Sequence, residues 1–223
     1  MHTTIRSTAL AAILFAAASS AAFAADSADL TVKGVIKPAA CNVTLAGGGI
    51  LDFGTIAANT LSATAATVLP TKSSSFTVTC DAATKVMWGS TDNRAGTVNA
   101  SAGPAVFNGA VAQFGVDAVG GKNVGAYSIE MNERPTADGQ PVDMIATFDK
   151  GNAWATYTSA VARNTTADQA MSWATSGTKI PGAFKTMTQP FTVKLAIGKT
   201  GELPALTQDI AIDGSVTFSL KYL

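Results

Sequence analysis

The chain has 223 residues, 15 basic and 15 acidic, and only 13% of it is charged. A neutral, sparsely charged surface excludes recognition of nucleic acid or an anionic membrane by a cationic face. Ala, Thr, Gly and Ser abound, as in an exported β-protein with a neutral exterior.

The N-terminus reads as an export signal. A cation at Arg6 precedes the apolar run Thr8–Ala18, and Ala22-Phe23-Ala24 fits a small-x-small cleavage site. Residues 1–24 are therefore expected to be a signal peptide, cut after Ala24. The apolar run is too short to span a bilayer. The remainder suits one domain and stands one negative charge from neutrality.

Residues 25–40 form an N-terminal extension. Within it Leu30, Val32, Gly34 and Ile36 alternate with Thr31, Lys33, Val35 and Lys37. A period of two marks an extended strand with one apolar face. Gly34 falls on that face, where glycine signals close approach by another backbone. Pro38 and Cys41 follow. The segment reads as a strand given to a neighbouring molecule, ahead of a domain spanning 41–223 that needs such a strand itself.

Cys41 and Cys80 are the only cysteines, and an even count in an exported chain predicts one disulfide. Asn42–Leu45 continues the alternation, Gly47-Gly48-Gly49 is a turn, and Ile50–Ile56 reads as a second strand. Ser75–Cys80 is a strand with Phe76, Val78 and Cys80 on one face. Further strands are expected at Lys85–Ser90, Ala110–Val116, Gly125–Met131, Val142–Phe148 and Ala153–Thr158, and Thr91–Pro104 reads as a loop. Asp168–Thr175 fits a helix or a strand. Phe191, Val193, Leu195 and Ile197 alternate clearly, as do Val216, Phe218, Leu220 and Tyr222, with Gly214 marking a tight turn before the last strand. Many short strands without a helical period predict an all-β sandwich.

Little catalytic chemistry is legible. The sole histidine, His2, lies in the signal peptide, so no Ser-His-Asp or Cys-His site is expected. Oxidised cysteines would be neither nucleophiles nor zinc ligands. Gly198-Lys199-Thr200 lacks the glycine a phosphate loop needs at 193, where Val193 stands. Asp143 and Asp149 read as strand-end and turn residues. Trp88, Trp154 and Trp173 fit a sugar site or, more commonly, a core. The expectation is no enzyme, no metal and no cofactor.

Taken together, these residues resemble the pilin subunits of chaperone–usher fimbriae, in a divergent branch. The matching features are the signal peptide, Leu30-Thr31-Val32-Lys33-Gly34, Gly34 seven residues before Cys41, Leu51–Ile56, Phe76–Cys80, and the last strand with penultimate Tyr222. About 85–182 shows no such likeness. The resemblance implies an incomplete immunoglobulin-like β-sandwich completed by a donated strand. Leu30, Val32, Gly34 and Ile36 would be the inserting residues. Val216, Phe218, Leu220, Tyr222 and Leu223 would contact a periplasmic chaperone. Partners would be that chaperone, an outer-membrane usher and neighbouring pilin subunits, with no nucleic acid. Passage through the periplasm to a cell-surface fimbrium follows. The alternatives are a self-contained exported β-sandwich and a tip adhesin, with an exported enzyme more remote.

Overall fold

The computed structural model describes residues 30–35, 39–165 and 169–223. The expected signal peptide and Ile36 lie outside them. Contacts divide the chain into two units, 1–37 and 38–223. In the first, residues 30–35 form no helix or strand and are exposed.

The second unit is an all-β sandwich. Its main strands, in chain order, are β1 (Cys41–Leu45), β2 (Lys72–Thr84), β3 (Val86–Asp92), β4 (Gly125–Met131), β5 (Asp143–Thr147), β6 (Ala155–Tyr157), β7 (Ala160–Val161), β8 (Ala170–Ala174), β9 (Phe184–Ile197) and β10 (Val216–Tyr222). One sheet runs β1-β2-β9-β4-β7 and the other β6-β5-β8-β3-β10, all neighbours antiparallel.

The alternation seen in the sequence drives this packing. On β2, Phe76, Val78 and Cys80 are buried; on β9, Met187, Gln189, Phe191, Val193 and Leu195 are. At the end of β9 the alternation stops, and Ala196 and Ile197 are both buried. The reason is a short helix, Ala102–Val106, whose Ala102 and Val106 pack with Ala126 and Ala196. Small side chains let this helix approach the outer face of the sheet closely.

Aromatic side chains from both sheets meet at Phe76. Its ring centroid lies 4.9 Å from Trp88, 5.0 Å from Phe218 and 6.1 Å from Trp173. Such contacts add about 0.5–1.5 kcal/mol each beyond area burial. Trp173 Nε1 donates to the fully buried Gln189 Oε1 at 3.2 Å, satisfying a polar group in the apolar layer. Trp88 and Trp173 are therefore core residues. Trp154 is half-buried, with its Nε1 donating to Gly151 O at 3.1 Å. The three do not assemble a sugar site.

Two expected strands are corrected. Ala110–Val116 holds a 3-10 turn, Ala110–Ala112, and a two-residue strand, Phe114–Gly115. Asn164 Nδ2 donates to Ala110 O and Gln113 O, drawing those carbonyls out of any ladder. Ile50–Ile56 forms no strand, because among the described residues its main chain pairs with no neighbouring strand. The ambiguous Asp168–Thr175 segment holds strand β8.

Candidate functional site

The sandwich is sealed on one side and open on the other. The strands β6 and β7 lie at the edges of different sheets and are joined by Thr158-Ser159, so the chain itself closes that side. The opposite edges are β1 and β10, from the two ends of the domain. The first pairs only with β2, in register Cys41↔Cys80 to Leu45↔Phe76. The last pairs only with β3, in register Val216↔Asp92 to Tyr222↔Val86.

Core-facing side chains along this opening are incompletely covered. Val43 on β1 and Val216, Phe218 and Leu220 on β10 pack against the core but remain half-exposed. Phe76 and Val78 on the adjacent β2 are at most 1% exposed. The difference is a missing neighbour rather than a polar surface.

Beyond β1 the chain turns through Gly47, Gly48 and Gly49, at φ 61°, 67° and 80°, which side chains rarely adopt. Ile50–Ala57 then runs without regular structure. The N–H groups of Leu51, Asp52, Phe53, Thr55 and Ile56 have no main-chain partner among the described residues. Gly54, at φ 69°, donates its N–H to Asp52 Oδ1 at 2.7 Å. This local turn breaks the parity, so Leu51, Phe53 and Ile56 all pack inward.

A second unpaired segment precedes β10. The N–H groups of Asp209, Ile210, Ala211 and Ile212 have no main-chain partner among the described residues, and pairing resumes where Asp213 N donates to Val116 O at 3.1 Å. Between the two segments lies a cleft of about 890 Å³. Val124, Ile197 and Leu203 form its apolar depth. Its lips leave Ile50, Leu206 and Ile212 exposed at 76%, 40% and 37%. The lining carries two carboxylates, Asp52 and Asp209, and no cation.

The second lip is fastened at its C-terminal end. The guanidinium of Arg94 binds the Asp213 carboxylate, and its Nε donates to Asp213 O at 3.0 Å. The hydrogen bond to the Asp213 carboxylate, and then that carboxylate's charge, hold Arg94 above its usual pKa. Asn93 Nδ2 donates to Ser215 Oγ and Thr217 Oγ1, both at 3.0 Å. Tyr127 lies beneath; burial, and then the negative charge of Asp92, push its phenol pKa up. At the far end of the two edges, Cys41 N donates to Tyr222 Oη at 2.9 Å and bridges them.

The residues expected from sequence occupy distinct places. Cys41 and Cys80 form the disulfide and lie directly opposite each other in the ladder. Val216, Phe218 and Leu220 line the open side, while Tyr222 and Leu223 are exposed. Leu223 N donates to Lys85 O at 3.1 Å. In the first unit Leu30 and Val32 are exposed at 89% and 87%, and a Cβ on Gly34 would meet nothing within 4 Å. The lips at 50–57 and 206–212 were not legible as an opening. Their one local signal is Asp52-x-Gly54, a turn inside an otherwise alternating run.

A disulfide fits an oxidising compartment outside the cytoplasm. Among the described residues no helix is long and apolar enough to cross a membrane.

Comparison with known proteins places the chain among relatives. Residues 30–128 match the family described as "Protein of unknown function (DUF1120)". The "Uncharacterized protein YhcF" of Escherichia coli (strain K12) is 35% identical over 71 residues, 32% of this chain and 30% of that one. "Protein GltF" of Escherichia coli (strain K12) is 30% identical across 95% of this chain and 96% of its own length. The likeness to GltF covers nearly the whole of both chains, and the chain belongs to the same family as Protein GltF.

Proposed function

We propose that this chain is a structural subunit of a chaperone–usher fimbria, exported through the periplasm and polymerised by donor-strand exchange in support of cell adhesion. One observation carries the reading: two segments, 51–56 following β1 and 209–212 preceding β10, whose N–H groups other than that of Gly54 find no partner among the described residues, flank an apolar cleft. Unpaired edges are a liability unless covered. An added strand would satisfy their peptide groups, and its alternate side chains would fill the cleft.

The N-terminal extension supplies such a strand. Leu30, Val32 and Ile36 share one parity, and each aliphatic side chain buried contributes about 1.5–3 kcal/mol. In this reading a periplasmic chaperone first covers the β10 edge, from Val216 to Leu223. At the outer-membrane usher, the extension of another subunit replaces it. The role is structural rather than catalytic.

The test is deletion of residues 25–37 in the secreted chain. The expected product is a folded, chaperone-bound subunit that no longer donates to another. A second reading, a self-contained exported sandwich, is favoured by the Cys41–Tyr222 hydrogen bond, which already ties the two edges together. A stable monomer without any chaperone, unfolded by the deletion, would select that reading instead.

A further inference from the structure

We propose that Asn108 is a modification site: in the folded protein its side-chain amide closes on Gly109 and is converted to a carboxylate, in part as isoaspartate. The inference is independent of strand donation.

Asparagine is chemically labile, and most so where the following peptide nitrogen is open to its side chain. Glycine has no Cβ to obstruct that approach. Asn108-Gly109 is the only Asn-Gly pair in the chain. It lies between the helix Ala102–Val106 and the 3-10 turn Ala110–Ala112, and Asn108 is exposed. Its side chain makes no hydrogen bond among the described residues.

The other asparagines are protected. Asn93, Asn99, Asn123 and Asn164 donate their amide groups to fixed partners. Asn42 and Asn59 are exposed, but β-branched Val43 and Thr60 follow them and crowd the nitrogen.

Two Asp-Gly pairs could form the same ring, and the structure separates them from Asn108. Asp138 Oδ1 accepts from Lys185 N at 3.1 Å and from Thr186 N at 2.8 Å, inside a paired hairpin. The Asp213 carboxylate is bound by Arg94, and a Cβ on Gly214 would stand 2.8 Å from the Tyr127 ring. Neither carboxyl is free to turn onto its own backbone. At Asn108 the restraint is smaller: Gly109 N donates to Phe107 O at 3.0 Å. That bond closes a three-residue turn at the surface, where local opening costs little.

The chemistry balances with water alone. The Gly109 nitrogen gives its proton to solvent and attacks Asn108 Cγ. The new N–Cγ bond forms, the Cγ–Nδ2 bond breaks, and ammonia leaves. Water then opens the five-membered imide at either carbonyl. Breaking N–Cγ gives aspartate; breaking the original peptide bond gives isoaspartate, with the main chain routed through Cβ and Cγ. Each event adds one negative charge and about 1 Da.

The experiment incubates the folded, disulfide-bonded protein in mildly alkaline buffer beside a reduced sample in guanidinium. Tryptic peptides are sequenced by fragmentation that distinguishes isoaspartate. Peptide 95–122 carries both Asn99 and Asn108, so each digest holds its own control. Asn108 should convert in the folded protein within about three-fold of its unfolded rate, and Asn99 should stay intact. Isomerisation at Asp138 and Asp213 should be at least about ten-fold slower folded than unfolded. Asn108→Gln should abolish the acidic form that isoelectric focusing reveals on ageing.

An Asn108 that stays intact when folded but converts when unfolded would overturn the proposal, and would show that the Gly109–Phe107 bond protects it. An acidic form that persists in Asn108→Gln would overturn it as well.

Discussion

The main-chain N–H of Cys41 donates to the phenol oxygen of Tyr222 across 2.9 Å, joining residues 181 positions apart. The bond ties the first strand of one sheet to the last strand of the other. Among the described residues no other side-chain hydrogen bond links β1 with β10. Tyr222→Phe keeps the ring and removes the acceptor. Loss of a hydrogen bond of this kind costs about 0.5–1.5 kcal/mol. Urea denaturation of the folded protein should show that decrease with an unchanged slope. An unaltered midpoint would mean that water replaces the phenol without cost.

The disulfide ties β1 to β2 over a sequence separation of 39. Replacing both Cys41 and Cys80 by Ala should destabilise by about 2–5 kcal/mol, chiefly by freeing the unfolded chain. Denaturation under oxidising conditions, wild type against variant, measures it. Treatment with reductant should lower the wild type toward the variant and leave the variant unmoved.

Phe76 and Phe218 stack at 5.0 Å but differ in cover, Phe76 being 1% exposed and Phe218 half-buried at the opening. Phe76→Ala removes a fully packed ring and should cost about 3–5 kcal/mol. Phe218→Ala should cost about half as much in the isolated subunit, because water already reaches it. Equal losses in chemical denaturation would show that the opening is closed in solution.

Asp143 accepts from Gly177 N at 2.7 Å and from Arg134 Nη2 at 2.7 Å. The Gly177 bond, followed by the bond and charge of Arg134, holds its carboxyl below the usual range. A folded pKa below the unfolded one adds stability above the unfolded value, about 3.9, and loses it as pH falls through the folded value. Asp143→Asn should therefore melt below wild type at pH 6–7, with the gap narrowing below about pH 4. Melting curves across that range test the sign; a gap that widens in acid would contradict it.

Gly214 illustrates how sequence and structure diverge. The sequence predicts a tight turn there; the structure instead places a Cβ at that position 2.8 Å from the Tyr127 ring. The ring is 7% exposed and stacked on Phe114 at 5.2 Å, so it has little room to yield. Gly214→Ala should cost about 1–3 kcal/mol as overpacking, measured by thermal melting. A neutral result would return Gly214 to the role of a simple turn.

By itself the sequence determined the strands whose side chains alternate against one core. Phe76–Cys80, Gly125–Met131, Phe191–Ile197 and Val216–Tyr222 were legible because period two is a local property of the backbone. The disulfide was legible because only one pairing exists. Tertiary structure alone decided which strands neighbour each other and where the sandwich stays open. Ile50–Ile56 alternates as well as many strands do, yet it lies unpaired along a cleft. Alternation reports which face of a segment is apolar; whether its peptide groups find a ladder depends on partners far along the chain, as where Tyr222 pairs with Val86. The same limit hid Trp88 and Trp173 in the core and Asp52 and Asp209 in the lining of one cleft, since burial and juxtaposition are properties of the packed chain.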